Sequence, residues 1–278
     1  MSILSGKTIS FIGGGNMTSA IVDGLLKLKK ETSVNFEICV SDRNPPKCDA
    51  FTAKGVTAVS PAQADEIISR ADVVVLSIKP QVMAEVCQDV VPHLSDQLVL
   101  SVAAGLSVRT LSDILGGYQR IVRSMPNLPL AIGLGATGLY ATDVSAKDKE
   151  LADAIMRASG ITTWVDDEEL MHAVTAVAGS APAYFFYMLE HMIAQASKMG
   201  LDANDAKALA IQTMIGAGEL AKTGDPSTLR EQITSKGGTT AAALAVFNEQ
   251  NMGQTIQEGM AACVNRSREL GEMLSKSN

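Results

Sequence analysis

A run of three glycines, Gly13-Gly-Gly15, follows the β-branched stretch Thr8–Ile12 and leads through Asn16-Met-Thr18 into an apolar helical segment over 21–28. A strand that turns on glycines into a helix start gathers backbone N–H groups and the positive helix end at one point, which is the chemistry of a pyrophosphate site. Gly13 permits the tight turn and Gly15 lets the backbone approach phosphates, so this corner is expected to bind a dinucleotide. The third position of the usual glycine fingerprint is Thr18 here, which should hold the helix slightly farther from the strand.

The next predicted strand closes on Ser41-Asp-Arg-Asn44, where an adenosine ribose would lie. Asp42 could accept from a ribose 2′-OH, which favours NAD, whereas Arg43 can pair a 2′-phosphate, which favours NADP. The same residues before Pro45-Pro46 also make an ordinary polar turn. Because the short donor Asn44 follows Arg43, NADPH is the expected cofactor, with Asp42 turned outward and NADH as the alternative. Ligands of open parallel sheets lie beyond the carboxyl ends of the strands. Ser77-Ile-Lys-Pro80, Ala103-Ala-Gly105 and Ser124-Met-Pro-Asn-Leu-Pro129 stand at such ends and are expected to line the groove, the small residues leaving room for a flat nicotinamide ring.

Titratable groups are sparse. His93, His172 and His191 have no metal-ligand spacing and no Ser/His/Asp arrangement can be picked out, so no metal is expected. Hydride transfer tolerates this, because the cofactor carries the chemistry. The best substrate candidate is Ser235-Lys-Gly-Gly-Thr-Thr240, followed by an alanine-rich helical run. Two glycines and two hydroxyls at a helix start expose N–H donors suited to a small carboxylate; a plain cap by Thr239 or Thr240 is the alternative. Gly179-Ser-Ala-Pro182 is a similar break, with Ser180 as cap and Pro182 near the first helical position.

These corners need a scaffold. Strand-like runs at 8–12, 36–41, 73–77, 98–101, 120–124, 136–140 and 162–165 alternate with helical stretches, which predicts an α/β fold with a Rossmann-like, doubly wound parallel sheet. Beyond Asp166-Asp-Glu-Glu169 the periodicity is helical only, with about five helices expected on ordinary lengths. The predicted domains are therefore 1–166 for the dinucleotide and 167–278 as an all-helical half for substrate and dimerisation. Apolar residues at 46% supply ample core, and small residues such as Ala208, Ala210 and Gly216 to Gly218 allow close helix approach. An oligomer built through this half is expected over a self-contained bundle.

The charge balance of 23 basic against 30 acidic residues gives −7, which leaves no basic surface for nucleic acid. Four scattered cysteines without a CxxC pair predict reduced thiols and a cytoplasmic location. No secretory leader is expected, and glycines and prolines interrupt the two long uncharged windows, so no membrane span is expected.

Six segments, in order, resemble the pyrroline-5-carboxylate reductases: Phe11-Ile-Gly-Gly-Gly-Asn-Met17, Ile78-Lys-Pro80, Ser101-Val-Ala-Ala-Gly105, Arg123-Ser-Met-Pro-Asn127, Ala178-Gly-Ser-Ala-Pro-Ala-Tyr184 and Ser235-Lys-Gly-Gly-Thr-Thr240. The resemblance covers nearly the whole chain and implies NADPH-dependent reduction of a cyclic imine to L-proline, by a homodimer that assembles further into a decamer. It implies cofactor contacts at Gly13, Gly14, Gly15, Asn16, Met17, Arg43, Asn44, Ser77, Ile78, Lys79, Pro80, Val102, Ala103, Ala104, Met125 and Asn127. Substrate contacts are implied at Ser235, Gly238, Thr239, Thr240 and Glu168. The family usually has Pro where Lys236 stands, and Asp42 departs from a plain NADPH pattern.

The expected mechanism seats the substrate carboxylate on the N–H groups of Gly238 and Thr239. Thr240 Oγ hydrogen-bonds the ring nitrogen while hydride reaches the imine carbon. Two other readings are a β-hydroxyacid dehydrogenase, which needs a helix Lys that is absent between Gly179 and Lys198, and a non-catalytic NADP(H)-sensing oligomer.

Overall fold

The computed structural model describes residues 2–277. The first part of the chain forms β1 (Thr8–Ile12), α1 (Asn16–Thr32), β2 (Glu37–Ser41), α2 (Pro45–Thr52), β3 (Thr57–Val59), α3 (Ala64–Ser69), β4 (Val73–Leu76) and α4 (Met83–Val90). It continues through β5 (Leu98–Ser101), α5 (Val108–Ile114), β6 (Ile121–Met125), β7 (Gly135–Tyr140), α6 (Ala146–Arg157) and β8 (Gly160–Trp164). Helices α7 (Leu170–Val174), α8 (Ala181–Lys198), α9 (Ala203–Leu220), α10 (Pro226–Gln232), α11 (Thr239–Glu249) and α12 (Met252–Ser277) follow.

Among the described residues the strands form one sheet in the order β3-β2-β1-β4-β5-β6-β7-β8. Strand β4 reads Val-Val-Val-Leu and is wholly buried, as a strand covered on both faces must be. Each such side chain stabilises the core by roughly 1.5–3 kcal/mol relative to exposure. One pair departs from the predicted parallel sheet: β6 and β7 run antiparallel. The 126–134 connection is too short for a crossover helix, so the chain simply reverses. Strand β3, three residues long after Gly55 at φ 78°, is not announced by any apolar run in the sequence.

Packing divides the chain into two compact units, one made of residues up to Ser180 together with the chain from Cys263 onward, the other of Ala181–Ala262. The segment after the expected boundary at 166/167 thus stays with the sheet as far as Ser180, and the later turns of α12 return to it. In that unit Gly271 fits against the Gly105 carbonyl, where a Cβ would come within 3.1 Å. Helix α1 buries Ala20, Ile21, Val22 and Leu25. Near its middle Gly24 lies so close to Ser159 that a Cβ would overlap the hydroxyl, which itself donates to the Ala20 carbonyl at 3.3 Å.

The second unit is helical throughout its described residues. Asp202 and Asp225 cap α9 and α10 through the amides two and three residues on, with Pro226 in the first turn of α10. Its apolar surface is poorly covered: Phe185, Phe186 and Tyr187 on α8 are 55%, 55% and 65% exposed.

Candidate active site

Strands β1, β2, β4, β5 and β6 are parallel, so the loops after them share one edge of the sheet. The strand order reverses between β1 and β4, which opens a crevice at that edge. Gly13 stands there at φ 99°, and a Cβ would collide with the Ser77 carbonyl and with Ile78, so glycine is required. Gly15 caps α1 with no side-chain bond, leaving the amides of Asn16, Met17 and Thr18 for a ligand. A Cβ on Gly15 would meet nothing within 4 Å. An open space faced by three uncapped amides fits a pyrophosphate. Thr18 does not push the helix away: it is buried, and its hydroxyl donates to the Gly13 carbonyl at 2.5 Å, fastening helix to turn.

Asp42 is not turned outward, in contrast to the sequence expectation. Its Oδ2 accepts from the Gly14 amide at 2.7 Å and its Oδ1 from the Asn44 amide at 2.8 Å, with Lys47 Nζ 3.7 Å from Oδ2. Two otherwise unpaired amides hold the carboxylate inward, so Gly14 directs its N–H at Asp42 rather than at a phosphate. Arg43 and Asn44 are exposed, and Asn44 starts α2 without using its side chain as a cap.

The other strand ends are pinned by the backbone. The Ser77 amide donates to Ile12, that of Val102 to Leu76, and that of Ala103 to the Ser101 hydroxyl. Ile78 rests against Gly13, Lys79 and Ala104 are exposed, and Pro80 opens a single 3-10 turn. Met125 packs on Gly179, where a Cβ would come within 2.6 Å of its Cε.

Asn127 is held by two hydrogen bonds. Its Nδ2 donates to the Ala178 carbonyl at 3.1 Å and its Oδ1 accepts from the Ala136 amide at 2.9 Å, so the buried side chain clamps two segments of the backbone together. The predicted break at Gly179 is a π turn, Thr175–Gly179, closed by the Ser180 amide on the Thr175 carbonyl at 2.8 Å. Pro182 has no N–H for the Ala178 carbonyl, which leaves that carbonyl to Asn127. Ser180 therefore does not cap; its hydroxyl accepts from Cys263 Sγ.

Glu168 Oε1 accepts from the Val108 amide and from Arg123 Nη1, both at 2.8 Å. The Arg123 side chain is 5% exposed and that of Glu168 25%, so Glu168 is first the counterion of a buried guanidinium. The sequence assigned Arg123 no role, yet a charge inside a buried strand is the signal that a partner must exist. Nearby, His172 Nδ1 shares a 2.8 Å hydrogen bond with Ser267 Oγ, and burial lowers its pKa.

In the second unit Gly237 adopts φ 75° and the Gly238 amide donates to the Ser235 carbonyl at 3.0 Å. Gly238 is thus the cap of α11, and its amide is already occupied, contrary to its expected contact with a carboxylate. The amides left open are those of Thr239, Thr240 and Ala241, since Ala242 is the first to bond within the helix, to Gly238. Neither threonine serves as a cap. A Cβ on Gly238 would lie 2.5 Å from Ser235 Oγ, so glycine brings that hydroxyl to the helix start. Lys236 is exposed in this turn.

No group of His, Cys, Asp and Glu suited to a metal occurs among the described residues. Nor is any helix long and apolar enough to cross a membrane. A doubly wound sheet with uncapped glycine-corner amides at its switch point, joined to a helical unit, defines a dinucleotide-dependent oxidoreductase. Residues 8–105 match the family model described as NADP oxidoreductase coenzyme F420-dependent, and residues 168–270 match pyrroline-5-carboxylate reductase dimerisation. The pyrroline-5-carboxylate reductase of Haemophilus influenzae is 46% identical, covering 95% of this chain and 97% of that protein. The solved pyrroline-5-carboxylate reductase of Coxiella burnetii superposes with a TM-score of 0.88 at 37% identity, over 96% of this chain and 99% of the other. The pyrroline carboxylate reductase of Plasmodium falciparum, solved with NADP bound, gives 0.82 at 26% identity over 96% and 99%. The chain belongs to the pyrroline-5-carboxylate reductase family.

Proposed function

We propose that this chain reduces 1-pyrroline-5-carboxylate to L-proline, with NADPH preferred over NADH, and that its substrate carboxylate binds the open amides of Thr239, Thr240 and Ala241. The observation that carries the substrate reading is the start of α11, where a glycine cap leaves three N–H groups without a side-chain acceptor. A single anionic group on a small ring is what such a corner holds, without any cationic side chain. Ser235 Oγ, held against Gly238, adds a donor at the rim.

The nucleotide, when bound at the Gly13–Met17 corner, supplies the hydride. Opening of the C=N bond moves its electron pair to nitrogen, which must carry a proton. Thr240 Oγ holds that nitrogen and favours its protonated form. An imine is basic enough to be protonated near neutrality, so no acidic side chain is required and the scarcity of histidines is no obstacle. Glu168 Oε1 is used by Val108 and Arg123, and its Oε2 is the atom we assign to substrate.

The functional unit we infer is a homodimer formed through the helical unit, with dimers assembling into a decamer. The exposure of Phe185, Phe186 and Tyr187 supports an interface on this unit, because isolated monomers rarely leave so much aromatic surface uncovered. The four cysteines are free, which supports a cytoplasmic setting. The test is loss of nicotinamide absorbance with 1-pyrroline-5-carboxylate and either nucleotide, alongside light scattering. Oxidation faster with NADPH is expected; no oxidation above blank would replace the enzyme reading with nucleotide sensing.

A further inference from the structure

We propose that Lys47 selects the 2′-phosphorylated dinucleotide, acting beside Arg43 and against the inward-held Asp42. This rests on the NADPH reading above and names the residue through which the preference arises.

A phosphate at the end of β2 would ordinarily meet the amides that open the following helix. Helix α2 has none to give. Pro45 and Pro46 lack N–H groups, and the amides of Lys47 and Cys48 both donate to the Asn44 carbonyl, at 3.0 and 3.3 Å. The same corner holds a fixed negative charge, since Asp42 is fastened by the Gly14 and Asn44 amides and cannot swing away without breaking both bonds. A 2′-phosphate there would face a carboxylate and no amide from the start of α2, so side-chain cations must carry most of the balance of its charge.

Lys47 is placed for that work. Its Nζ lies 3.7 Å from Asp42 Oδ2, near enough to offset the carboxylate but beyond direct hydrogen-bond length, and its side chain is 46% exposed. A flexible ammonium can turn to a phosphate while still shielding Asp42. Lys54, past the end of α2, is already paired with Asp23 at 2.6 Å.

The experiment is calorimetric titration of the full chain with NADP+ and with NAD+, for the wild type, Lys47→Met and Lys47→Arg. Loss of one charge-assisted contact should raise the NADP+ Kd about ten- to hundredfold. The NAD+ Kd should stay within about twofold in Lys47→Met, which also shows that the corner is intact, and Lys47→Arg should keep the preference. Equal weakening of both nucleotides, or an unchanged NADP+ Kd, overturns the role of Lys47. A wild type without NADP+ preference instead overturns the NADPH reading, and this inference with it.

Discussion

Removing Glu168 should destabilise the protein more than removing Arg123, although the two form one ion pair. The guanidinium is the buried member, and its carboxylate partner still reaches water. Glu168→Ala leaves a positive charge inside β6 and frees the Val108 amide at the start of α5. Breaking a fully buried pair costs about 3–5 kcal/mol, and the opening to water at Glu168 reduces this to about 2–4 kcal/mol. For a chain of this length that corresponds to a fall of roughly 3–7 °C in Tm. Arg123→Met fills the cavity with an apolar stem and leaves Glu168 bonded to Val108 and partly hydrated, so its cost should stay below about 1.5 kcal/mol. The double variant should recover most of the loss seen in Glu168→Ala. Calorimetric unfolding of the four proteins, with urea titration as the equilibrium check, decides the matter. An Arg123→Met protein as unstable as Glu168→Ala, or a double variant with no recovery, would refute the reasoning. If KM for the imine stays raised in the recovered double variant, Glu168 touches substrate as well.

Thr240→Ala should lower kcat roughly ten- to a thousandfold while the NADPH Kd stays unchanged; an unaltered rate removes Thr240 from the reaction. Gly13→Ala forces a Cβ onto the Ser77 carbonyl at φ 99°, so nucleotide titration should show at least about tenfold weaker binding and a lowered Tm. Because burial lowers the His172 pKa, the unfolded chain binds the proton more readily. Its contribution to stability is complete above the ordinary value of 6.5 and is lost as pH falls through the lowered folded value. His172→Asn, which keeps an acceptor or donor near Ser267, should flatten the fall in Tm between neutral and mildly acid pH. Phe186→Asp should shift light scattering toward monomer, and an unchanged mass would exclude the α8 face from the interface.

The nucleotide corner was legible because strand, glycines and helix are adjacent in sequence and each follows a local rule. The start of α11 was legible as a helix start but not in its free donors: nothing local says that Gly238 spends its amide on Ser235. The inward turn of Asp42 and the bonds of Asn127 were not legible for the same reason, since their partners Gly14, Ala178 and Ala136 lie 28, 51 and 9 residues away. The π turn followed from Gly179 and Pro182 only once the orphaned carbonyl found Asn127. The antiparallel β6–β7 pair depends on connection length, which periodicity does not report.

Helix α1 is tied at both ends of its first half, by Thr18 to the glycine turn and by Gly24 to Ser159. The Asn16, Met17 and Thr18 amides are thereby preorganised, and the entropy of ordering them is already lost during folding. Nucleotide association should accordingly show only the small negative heat-capacity change of the contacted surface, with no added signature of a segment folding onto its ligand.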